Sequence, residues 1–480
     1  MSDFEAIIGL EVHAQLLTET KIFCNCRNIF GSAPNLNTCP VCLGLPGALP
    51  VLNRRALEYG IKMGLATNCD IATRSIFARK NYFYPDLPKG YQISQYDQPI
   101  CSNGWLIIEF EGYQRKIGIN RIHLEEDAGK SVHDEQYVAA DTSLIDLNRC
   151  GTPLIEIVSE PDIRHPGEAV AYLKLLRQIL QYLNICDGNM EEGSLRCDAN
   201  ISLRKTGTNT LGTKTELKNM NSFRNVERAI IFEINRQQNI LLDGGNVEQA
   251  TLLWDADLNE ARIMRTKEEA HDYRYFPEPD LVPFEVSDVH IADLKASLPE
   301  LPQNRKSRFQ EQYQLPEYDA DILTATRELA DYFEEVVQEL NQPKLVSNWI
   351  MGEILRWINE NNSDITRFPI QPVHMAELLN LLAQNEINSN AAKKIFQHML
   401  KSEDTPAQLV DRLKLRQVSD EGYIEQIIEQ ILKDHPAEVA AYRNGKDKLI
   451  GFFVGQVMRA SKGQANPQIL TELLKNKLLQ

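Results

Sequence analysis

The character of the chain changes near residue 290, and this change constrains the possible folds more than any other feature of its 480 residues. Before it, short segments alternate apolar and polar residues with period two, as a β-strand with one buried face does. In residues 7–16, Leu10 and Val12 share one face while Glu11 and His13 share the other. Further strands are predicted at Trp105–Glu111, Lys116–Leu124, Leu154–Val158 and Asn200–Leu203, and helices at Glu168–Leu183 and Val226–Gln238. Strands in clusters, rather than in strict alternation with helices, favour an α+β fold with a mostly antiparallel sheet.

After residue 290 the pattern becomes helical. Glycine is scarce there, and prolines separate apolar repeats of helical period. The predicted helices are Ala320–Leu340, Met375–Gln384, Ala391–Leu400, Pro406–Leu413, Ile424–Leu432 and Ile469–Leu478. The one at Pro406 has Thr405 as a candidate N-cap and proline at its first position, both typical of a helix start. We therefore predict three domains: the sheet-containing region 1–293, an all-α region 294–404 and a small all-α tail 405–480.

The chain is acidic, with 67 acidic against 51 basic residues and a net charge of −16. A protein that coats a polynucleotide is usually basic, because its affinity comes mostly from neutralised phosphates, so the net charge argues against a nucleic-acid partner. The charge is unevenly distributed, however, because residues 443–480 hold seven basic residues (Lys462 among them) and two acidic ones, a net charge of +5. A local basic surface of this kind can bind nucleic acid within an acidic protein. A solvated helical tail is the alternative.

Nothing in the sequence indicates export or insertion into a membrane. No apolar run approaches the roughly 20 residues of a membrane-spanning helix. The first residues lack the basic and apolar regions of a signal peptide. Five of the nine cysteines are scattered singly, which suits a reducing compartment better than a disulfide framework. We expect a cytoplasmic protein with no membrane partner.

The other four cysteines lie close together in the sequence. They are Cys24, Cys26, Cys39 and Cys42, in the spacing C-x-C-x12-C-x2-C. A zinc ion takes four thiolates from two short turns, and this spacing supplies them. Four incidental cysteines are the alternative. With four sulfur ligands no position is left for water, so the predicted zinc is structural and would hold the loop that contains Phe30, Gly31 and Asn35.

Acidic residues recur on the predicted strands. Glu11 and His13 are two residues apart, so their side chains lie on the same face. Another strand ends in the acidic run 125–127, where period two puts Glu125 and Glu126 on opposite faces. The sequence alone does not decide which of these two faces Glu11.

A second acidic pair comes from a predicted hairpin. A turn centred on Gly207 would place Asp198 opposite Glu216. Like charges that lie opposite each other destabilise a sheet unless a cation lies between them. Mg²⁺ prefers oxygen ligands, so carboxylates on several strands of one face suit it. A solvated acidic rim is the alternative interpretation of the same residues.

Six longer motifs make the chain resemble a known family. They are IGLEVH at 8–13, FARKNYFYPD at 77–86, YQISQYDQP at 91–99, EEGSLRCD at 191–198, DYRYFPEPD at 272–280 and ASKGQANP at 460–467. In this order they closely resemble the B subunit of the tRNA-dependent amidotransferases. The resemblance extends from the first strand to the last helix, so it covers essentially the whole chain.

The resemblance implies a ligase that forms carbon–nitrogen bonds with glutamine as amido donor. The B subunit of that family uses ATP and Mg²⁺ to phosphorylate the side-chain carboxylate of Glu-tRNA(Gln), and often of Asp-tRNA(Asn). The A subunit, a glutaminase, supplies ammonia through a channel, the small C subunit joins the other two, and the products are Gln-tRNA(Gln) and Asn-tRNA(Asn). The family's catalytic fold is similar to glutamine synthetase, and its C-terminal tail domain holds tRNA.

The resemblance also implies roles for particular residues. The metal and catalytic residues carried over by motif are Glu11, His13, Glu126, Asp198 and Glu216. Arg79, Lys80 and Asn81 would line the ammonia exit or contact phosphate, although a plain turn residue is nearly as good a description of Asn81. The cysteine quartet is present in some members and absent in others, which fits a structural zinc.

Two functions from other classes fit parts of the sequence. An acidic metal cluster beside a zinc loop is also typical of a metal-dependent nuclease or phosphatase, which would cleave RNA with Mg²⁺ and without ATP. A non-catalytic RNA-binding scaffold would leave the acidic residues merely solvated. The motifs favour the amidotransferase over both.

Overall fold

The computed structural model describes residues 3–132, 142–266, 273–417, 421–461 and 465–479. Asp272, which opens one of the six motifs, lies outside the described residues, and so do Lys462, Gly463 and Gln464 of another. The chain divides into two compact units, Met1–Asn304 and Arg305–Gln480. All the strands lie in the first unit, as far as the described ranges show, and the second is helical. This mixture agrees with the predicted α+β class.

The first unit contains sixteen described strands and four helices. Its strands are β1 (Phe4–Gln15), β2 (Asp70–Ile71), β3 (Arg74–Ser75), β4 (Ala78–Asn81), β5 (Tyr91–Ser94), β6 (Cys101–Phe110), β7 (Tyr113–Glu126), β8 (Lys130–Val132), β9 (Leu144–Asp146), β10 (Pro153–Ser159), β11 (Leu195–Lys205), β12 (Thr215–Lys218), β13 (Ala250–Asp255), β14 (Glu260–Thr266), β15 (Phe276–Pro277) and β16 (Phe284–Glu285). Its helices are α1 (Arg54–Ala66), α2 (Pro166–Tyr182), α3 (Phe223–Leu242) and α4 (Asp288–Ala296).

Nine of these strands form one sheet, in the order β14-β13-β12-β11-β1-β10-β7-β6-β2. Neighbouring strands run antiparallel, apart from β12 and β13, which run parallel. The first strand of the chain is thus central, and its two neighbours come from residues 153–159 and 195–205. A smaller sheet, β15-β4-β5, holds the segment around Lys80.

The two faces of β1 have different environments. Leu10, Val12 and Ala14 are at most 1% exposed and belong to the core of the first unit. Helices α1, α2 and α3 pack against β7, β6 and β11, respectively. The alternate residues, Glu11 and His13 among them, are only partly buried. Period two therefore gave the correct faces, because one face of the strand lies in a continuous apolar core.

The register of the β11–β12 hairpin differs from the prediction. Glu216 pairs with Asn200, so Asp198 lies opposite Lys218 rather than opposite Glu216. The predicted turn is centred on Gly207, but the observed pairs are centred one residue later, so each residue of β11 lies opposite a residue two positions further along than predicted. A shift of this kind keeps every side chain on its face, so Asp198 and Glu216 still share one face.

The second unit consists of helices and two apolar cores. Its helices are α5 (Pro302–Tyr313), α6 (Glu317–Leu323), α7 (Arg327–Leu340), α8 (Pro343–Trp349), a π-helical turn (Ile350–Ile354), α9 (Leu355–Glu360), a 3₁₀ turn (Ile365–Arg367), α10 (Pro372–Ala383), α11 (Ser389–Met399), α12 (Pro406–Leu413), α13 (Glu421–Asp434), α14 (Pro436–Arg443), α15 (Leu449–Ala460) and α16 (Pro467–Leu479). One core runs from Phe309 to Val410 and the other from Ile424 to Leu478. Among the described helices, none is long and apolar enough to cross a membrane.

Caps explain where two of these helices begin. The Thr405 side chain accepts from the Gln408 amide and the Gln408 side chain accepts from Thr405 N, which confirms the predicted start of α12. The single helix predicted over Ala320–Leu340 is instead two, α6 and α7. Thr326 caps α7 by accepting from the Leu329 amide, and a capping side chain of this kind satisfies an N–H that would otherwise have no partner.

A partly buried acidic residue in this unit leads to a pH-dependent stability prediction. The Glu334 carboxylate accepts from Arg305, Arg308 and Tyr313, with Arg308 Nη1 at 2.6 Å. Burial alone would raise its pKa, but the bonds from Arg308, Tyr313 and Arg305 lower it to about 2. Because the folded pKa lies below the ordinary value of 4.5, the stabilisation is complete above about pH 4.5 and is lost between pH 4.5 and 2.

We therefore expect Glu334→Gln to lower the free energy of unfolding by about 1–2 kcal/mol at pH 7. The difference from the wild type should shrink as the pH falls towards 3. Thermal unfolding of the full chain, followed by circular dichroism from pH 7 to pH 3, measures this difference. The exposed neighbour Glu335, changed to glutamine, is the matched control and should show little effect at any pH. A Glu334→Gln difference that stays constant with pH would contradict the prediction.

Candidate functional site

The partly exposed face of the central strands holds a file of polar side chains. The register places Glu11 between Val158 of β10 and Asp198 of β11. Two residues further along β1, His13 lies between Glu156 and Arg196. Glu125, on β7, follows next across the sheet, two residues along from the pairing of His123 with Glu156. One face of adjacent strands thus brings together residues more than 180 positions apart in the chain.

His13, Glu125 and Glu156 converge on one point. His13 Nε2 is 3.3 Å from Glu156 Oε2 and 3.8 Å from Glu125 Oε1. One ligand atom from each residue lies within 4.8 Å of the others. Both carboxylates are buried, whereas the side chain of His13 is 19% exposed. The cluster is therefore reached from the side of His13.

A second histidine completes the electrostatics of this cluster. His123 Nε2 is 3.3 Å from Glu156 Oε2 and 3.7 Å from Glu125 Oε2. Burial disfavours a charge on His123, but the carboxylates outweigh it and raise the pKa of His123 to about 9. The same pairing, against the effect of burial, holds the pKa of Glu156 well below its usual value and lowers that of Glu125. Two carboxylates thus stay ionised because cationic groups surround them.

The structure places the predicted residue Glu126 elsewhere. Its side chain lies on the opposite face of β7, where its carboxylate pairs with buried Lys89 and accepts from Ile93 N at 2.9 Å. Glu125 occupies the position beside His13. The reason is the period of the strand, since Ile122 and Leu124 are fully buried and share the face of Glu126.

The other predicted acids, on β1, β11 and β12, lie on the same face of the sheet. Asn200 Nδ2 donates to Glu11 Oε1 at 2.9 Å. The ammonium of Lys218 pairs with Asp198 and lies 3.0 Å from Glu216 Oε1, so it is the cation between these two acids. Burial, with the charges of Glu156, Glu216 and Asp198, raises the pKa of Glu11. This half of the face is therefore rich in negative charge that Lys218 only partly balances.

The three residues proposed from the motif at 77–86 have different surroundings. Arg79 Nε and Nη2 each donate to an oxygen of Glu278 at 2.8 Å, in a bidentate pair. Asn81 Nδ2 donates to the carbonyl of Arg274 at 2.8 Å. Both residues thus tie β4 to the segment before and after β15. Lys80 differs from both, because the charges of Glu125 and Glu156 act on it and, against the effect of burial, raise the pKa of Lys80.

Sequence reasoning missed three residues of the site, namely Glu156, His123 and Lys218. Glu156 could have been singled out in the sequence, because it is the only acid in the mostly apolar strand 153–159. His123 shares the period of Glu125 and was visible on the same grounds. Lys218 depends on the hairpin register, which the sequence did not determine.

The four cysteines, in the segment that links β1 to α1, form a second cluster that could hold a metal ion. Cys42 Sγ lies 3.6 Å from Cys24 Sγ, 3.8 Å from Cys39 Sγ and 3.9 Å from Cys26 Sγ. Zn–S bonds of about 2.3 Å at tetrahedral angles separate sulfurs by about 3.8 Å. The donor set and its spacing therefore fit a zinc ion.

Neighbouring groups attach this centre to the first unit. Buried Lys21 lies 3.5 Å from Cys42 Sγ through Nζ, which also donates to the carbonyl of Asn37 at 2.7 Å. Asn35 N donates to Asp146 Oδ1 at 3.0 Å, and Asn35 Oδ1 accepts from Leu147 N at 2.8 Å. The cysteine loop is thus fastened to the residues that lead into β10, the strand of Glu156.

Within the described ranges, two groups of side chains have donor atoms that could hold a metal ion: the four cysteines, and the cluster of His13, Glu125 and Glu156. Two carboxylates and an imidazole suit a divalent cation such as Mg²⁺, which prefers oxygen ligands. A cavity of about 270 Å³ adjoins Glu11 and is lined by Gly9, Asn200 and Lys214 among others. The face can therefore hold a cation next to a small ligand.

Known proteins resemble the chain over nearly its whole length. A model of the GatB/GatE catalytic domain matches residues 6–292, and a GatB domain model matches residues 331–478. The chain is 58% identical, over 99% of both chains, to the B subunit of the aspartyl/glutamyl-tRNA(Asn/Gln) amidotransferase of Geotalea daltonii. It is 56% identical to the B subunit of Syntrophotalea carbinolica, over 99% of both, and 54% identical to that of Thermodesulfovibrio yellowstonii, over 98% of both. The chain belongs to the family of B subunits of the aspartyl/glutamyl-tRNA(Asn/Gln) amidotransferases.

Proposed function

We propose that the chain activates the side-chain carboxylate of misacylated Glu-tRNA(Gln), Asp-tRNA(Asn) or both by ATP-dependent phosphorylation. Ammonia then displaces the phosphate, giving Gln-tRNA(Gln) or Asn-tRNA(Asn). The observation that supports this most is the file of carboxylates and His13 on one open sheet face, in a chain 58% identical to a named B subunit. A carboxylate is a poor electrophile, and phosphorylation turns one of its oxygens into a leaving group.

The polar side chains on this sheet face suit phosphoryl transfer, which depends mostly on positioning and charge neutralisation. His13, Glu125 and Glu156 are the residues that would hold Mg²⁺, which when bound neutralises phosphate charge. Glu11, Asp198 and Glu216 extend the acidic face towards the cavity beside Glu11. Lys80 supplies a positive charge that interacts with those of Glu125 and Glu156.

The cysteine centre serves stability in this proposal. Cys24, Cys26, Cys39 and Cys42 would hold one structural Zn²⁺, as their sulfur spacing fits. Their hydrogen-bonded connection to the segment before β10 would support the position of Glu156 without contact with substrate.

The wider organisation is part of the same proposal. A catalytic region 1–293 with a glutamine-synthetase-like sheet would precede a helical domain 294–404 and a tRNA-binding tail 405–480. The separate core from Ile424 to Leu478 and the basic residues after 442 support such a tail. Partners would be a glutaminase (the A subunit) and the small C subunit, in a cytoplasmic heterotrimer. The relatives' names, which describe each of them as one subunit of an amidotransferase, support a multi-subunit enzyme.

The test supplies the reconstituted complex of three subunits with ammonium, ATP, Mg²⁺ and each misacylated tRNA. We expect labelled amidated aminoacyl-tRNA from at least one of the two, and none without ATP. Absence of amidated product from both would overturn the proposal. Cleavage of the tRNA with Mg²⁺ and no ATP would instead favour a nuclease.

A further inference from the structure

A chain of aromatic rings joins residues that follow β4, precede β15 and follow β5. The ring of Tyr82 lies 5.9 Å from those of Tyr84 and Tyr273, and Tyr273 lies 6.1 Å from Tyr275. Tyr275 stacks on Tyr96 with a centroid distance of 4.1 Å and an interplanar angle of 7°. The described rings thus form one continuous aromatic file, here called the tyrosine file, from Tyr84 to Tyr96.

The outer end of the tyrosine file is open to solvent. Tyr96 is 59% exposed although one face of its ring is covered by Tyr275. Phe83, between Tyr82 and Tyr84, is 76% exposed, and Phe276, next to Tyr275, is 45% exposed. Several large exposed aromatic groups on neighbouring segments are typical of a binding surface rather than of an inert one.

The tyrosine file is also close to Glu125 of the proposed catalytic site. Ser94 Oγ donates to Glu125 Oε2 at 3.2 Å, and Tyr96 follows Ser94 by two residues, which span at most about 7 Å. In the middle of the tyrosine file, Lys80 Nζ lies 5.0 Å from the ring centre of Tyr273. A ligand stacked on Tyr96 would therefore lie near the Glu125 cluster, and Lys80 would place a positive charge near the tyrosine file.

We propose that Tyr96, supported by Tyr275, stacks on the unpaired terminal base of the aminoacyl-tRNA. The inference rests on the proposed function, because it assigns a binding site to the same substrate. Unpaired RNA is commonly held by stacking of its bases on aromatic side chains. Since the amino acid is attached to the terminal nucleotide, the surface that holds this base must border the site that phosphorylates the carboxylate. The tyrosine file meets this requirement, and Lys80 adds a charge opposite to that of RNA.

A fluorescence experiment tests the stacking directly. The probe is a tRNA whose terminal adenine is replaced by 2-aminopurine, which loses fluorescence when it stacks. We expect the reconstituted complex to quench it, Tyr96→Ala to abolish most of the quenching, and Tyr96→Phe, which keeps the ring, to retain it. Tyr318→Ala, which removes an exposed tyrosine from the second unit, is the matched control. Equal quenching by the wild type and Tyr96→Ala would overturn the proposal.

Steady-state amidation separates this inference from the proposed function. We expect Tyr96→Ala to raise KM for the misacylated tRNA about tenfold, with KM for ATP unchanged, and Tyr96→Phe to stay near the wild type. A wild-type complex that amidates, combined with an unchanged KM in Tyr96→Ala, refutes the stacking site alone. Failure of the three subunits to assemble in Tyr96→Ala would show that a protein covers Tyr96 and would also refute it. A wild-type complex that never amidates refutes the proposed function, whereas the quenching is measured without any reaction.

Discussion

Glu125→Gln is expected to lower the rate of amidation by the reconstituted complex at least about 100-fold. The change keeps the shape of the side chain but removes the negative charge beside His13, Lys80 and Glu156. A neutral amide there binds Mg²⁺ far more weakly than a carboxylate does. Because the carboxylate also pairs with buried His123 and accepts from Ser94, the variant should lose some stability as well, so the rates are compared per folded complex. Amidation rates over a range of Mg²⁺ concentrations, together with thermal unfolding, measure both effects.

Glu126→Gln is the matched control, because it makes the same change in the adjacent residue. Its carboxylate pairs with Lys89, whose side chain is only 5% exposed. Removing one member of a buried ion pair leaves the other charge uncompensated, which costs about 3–5 kcal/mol. This variant should lose stability while its folded fraction keeps the wild-type response to Mg²⁺. The assignment of Glu125 would be refuted if the two variants exchanged these effects.

Cys42→Ser is expected to release the metal and to destabilise the first unit. Cys42 is within 3.9 Å of the other three sulfurs, and a hydrogen bond from Cys24 with the charge of Lys21 keeps the pKa of Cys42 well below that of an ordinary thiol. The thiolate is the form that binds zinc. Loss of several kcal/mol of binding free energy corresponds to a melting temperature lower by at least about 5 °C. Metal analysis after a mild chelator wash should find about one zinc in the wild type and none in the variant.

Cys150→Ser controls for the loss of a buried thiol. Cys150 is 1% exposed and contacts the carbonyl of Cys42, yet it is not one of the four clustered sulfurs. We expect it to retain one zinc per chain. Turnover at low temperature should fall less than stability in Cys42→Ser. If turnover fell more than stability, the centre would take part in catalysis, contrary to the proposal.

The sequence revealed the faces of the strands but not their partners. Leu10 and Val12 alternate with Glu11 and His13 because one side of β1 lies in the apolar core, and that alternation is local. The neighbours of β1 are β10 and β11, which lie about 140 and 190 residues further along, and no local pattern encodes such pairings. The register of Asp198 was missed for the same reason, because the loop before β12 shifts the ladder without changing any period.

The sequence likewise predicted the local features of the candidate site but not the contacts that depend on strand pairing. Glu125 could have been preferred to Glu126 from the sequence, since Ile122 and Leu124 already marked the face of Glu126 as apolar. Glu156 is different, because a lone acid in a buried strand acquires its meaning only when β10 pairs with β1. Lys80 was proposed from the motif, and only the tertiary contacts separate it from Arg79, which is bound to Glu278.

The central place of β1 has a consequence for synthesis of the protein. β1 is synthesised before both of its neighbours, and β11, the later one, is complete only at Lys205. At about 5–20 residues per second, β1 waits roughly 10–40 s for its second partner. During that time a strand with one apolar face has at least one edge unpaired, which is a hazard for aggregation. Nascent chains shorter than about 205 residues should therefore depend on chaperones more than the finished protein does.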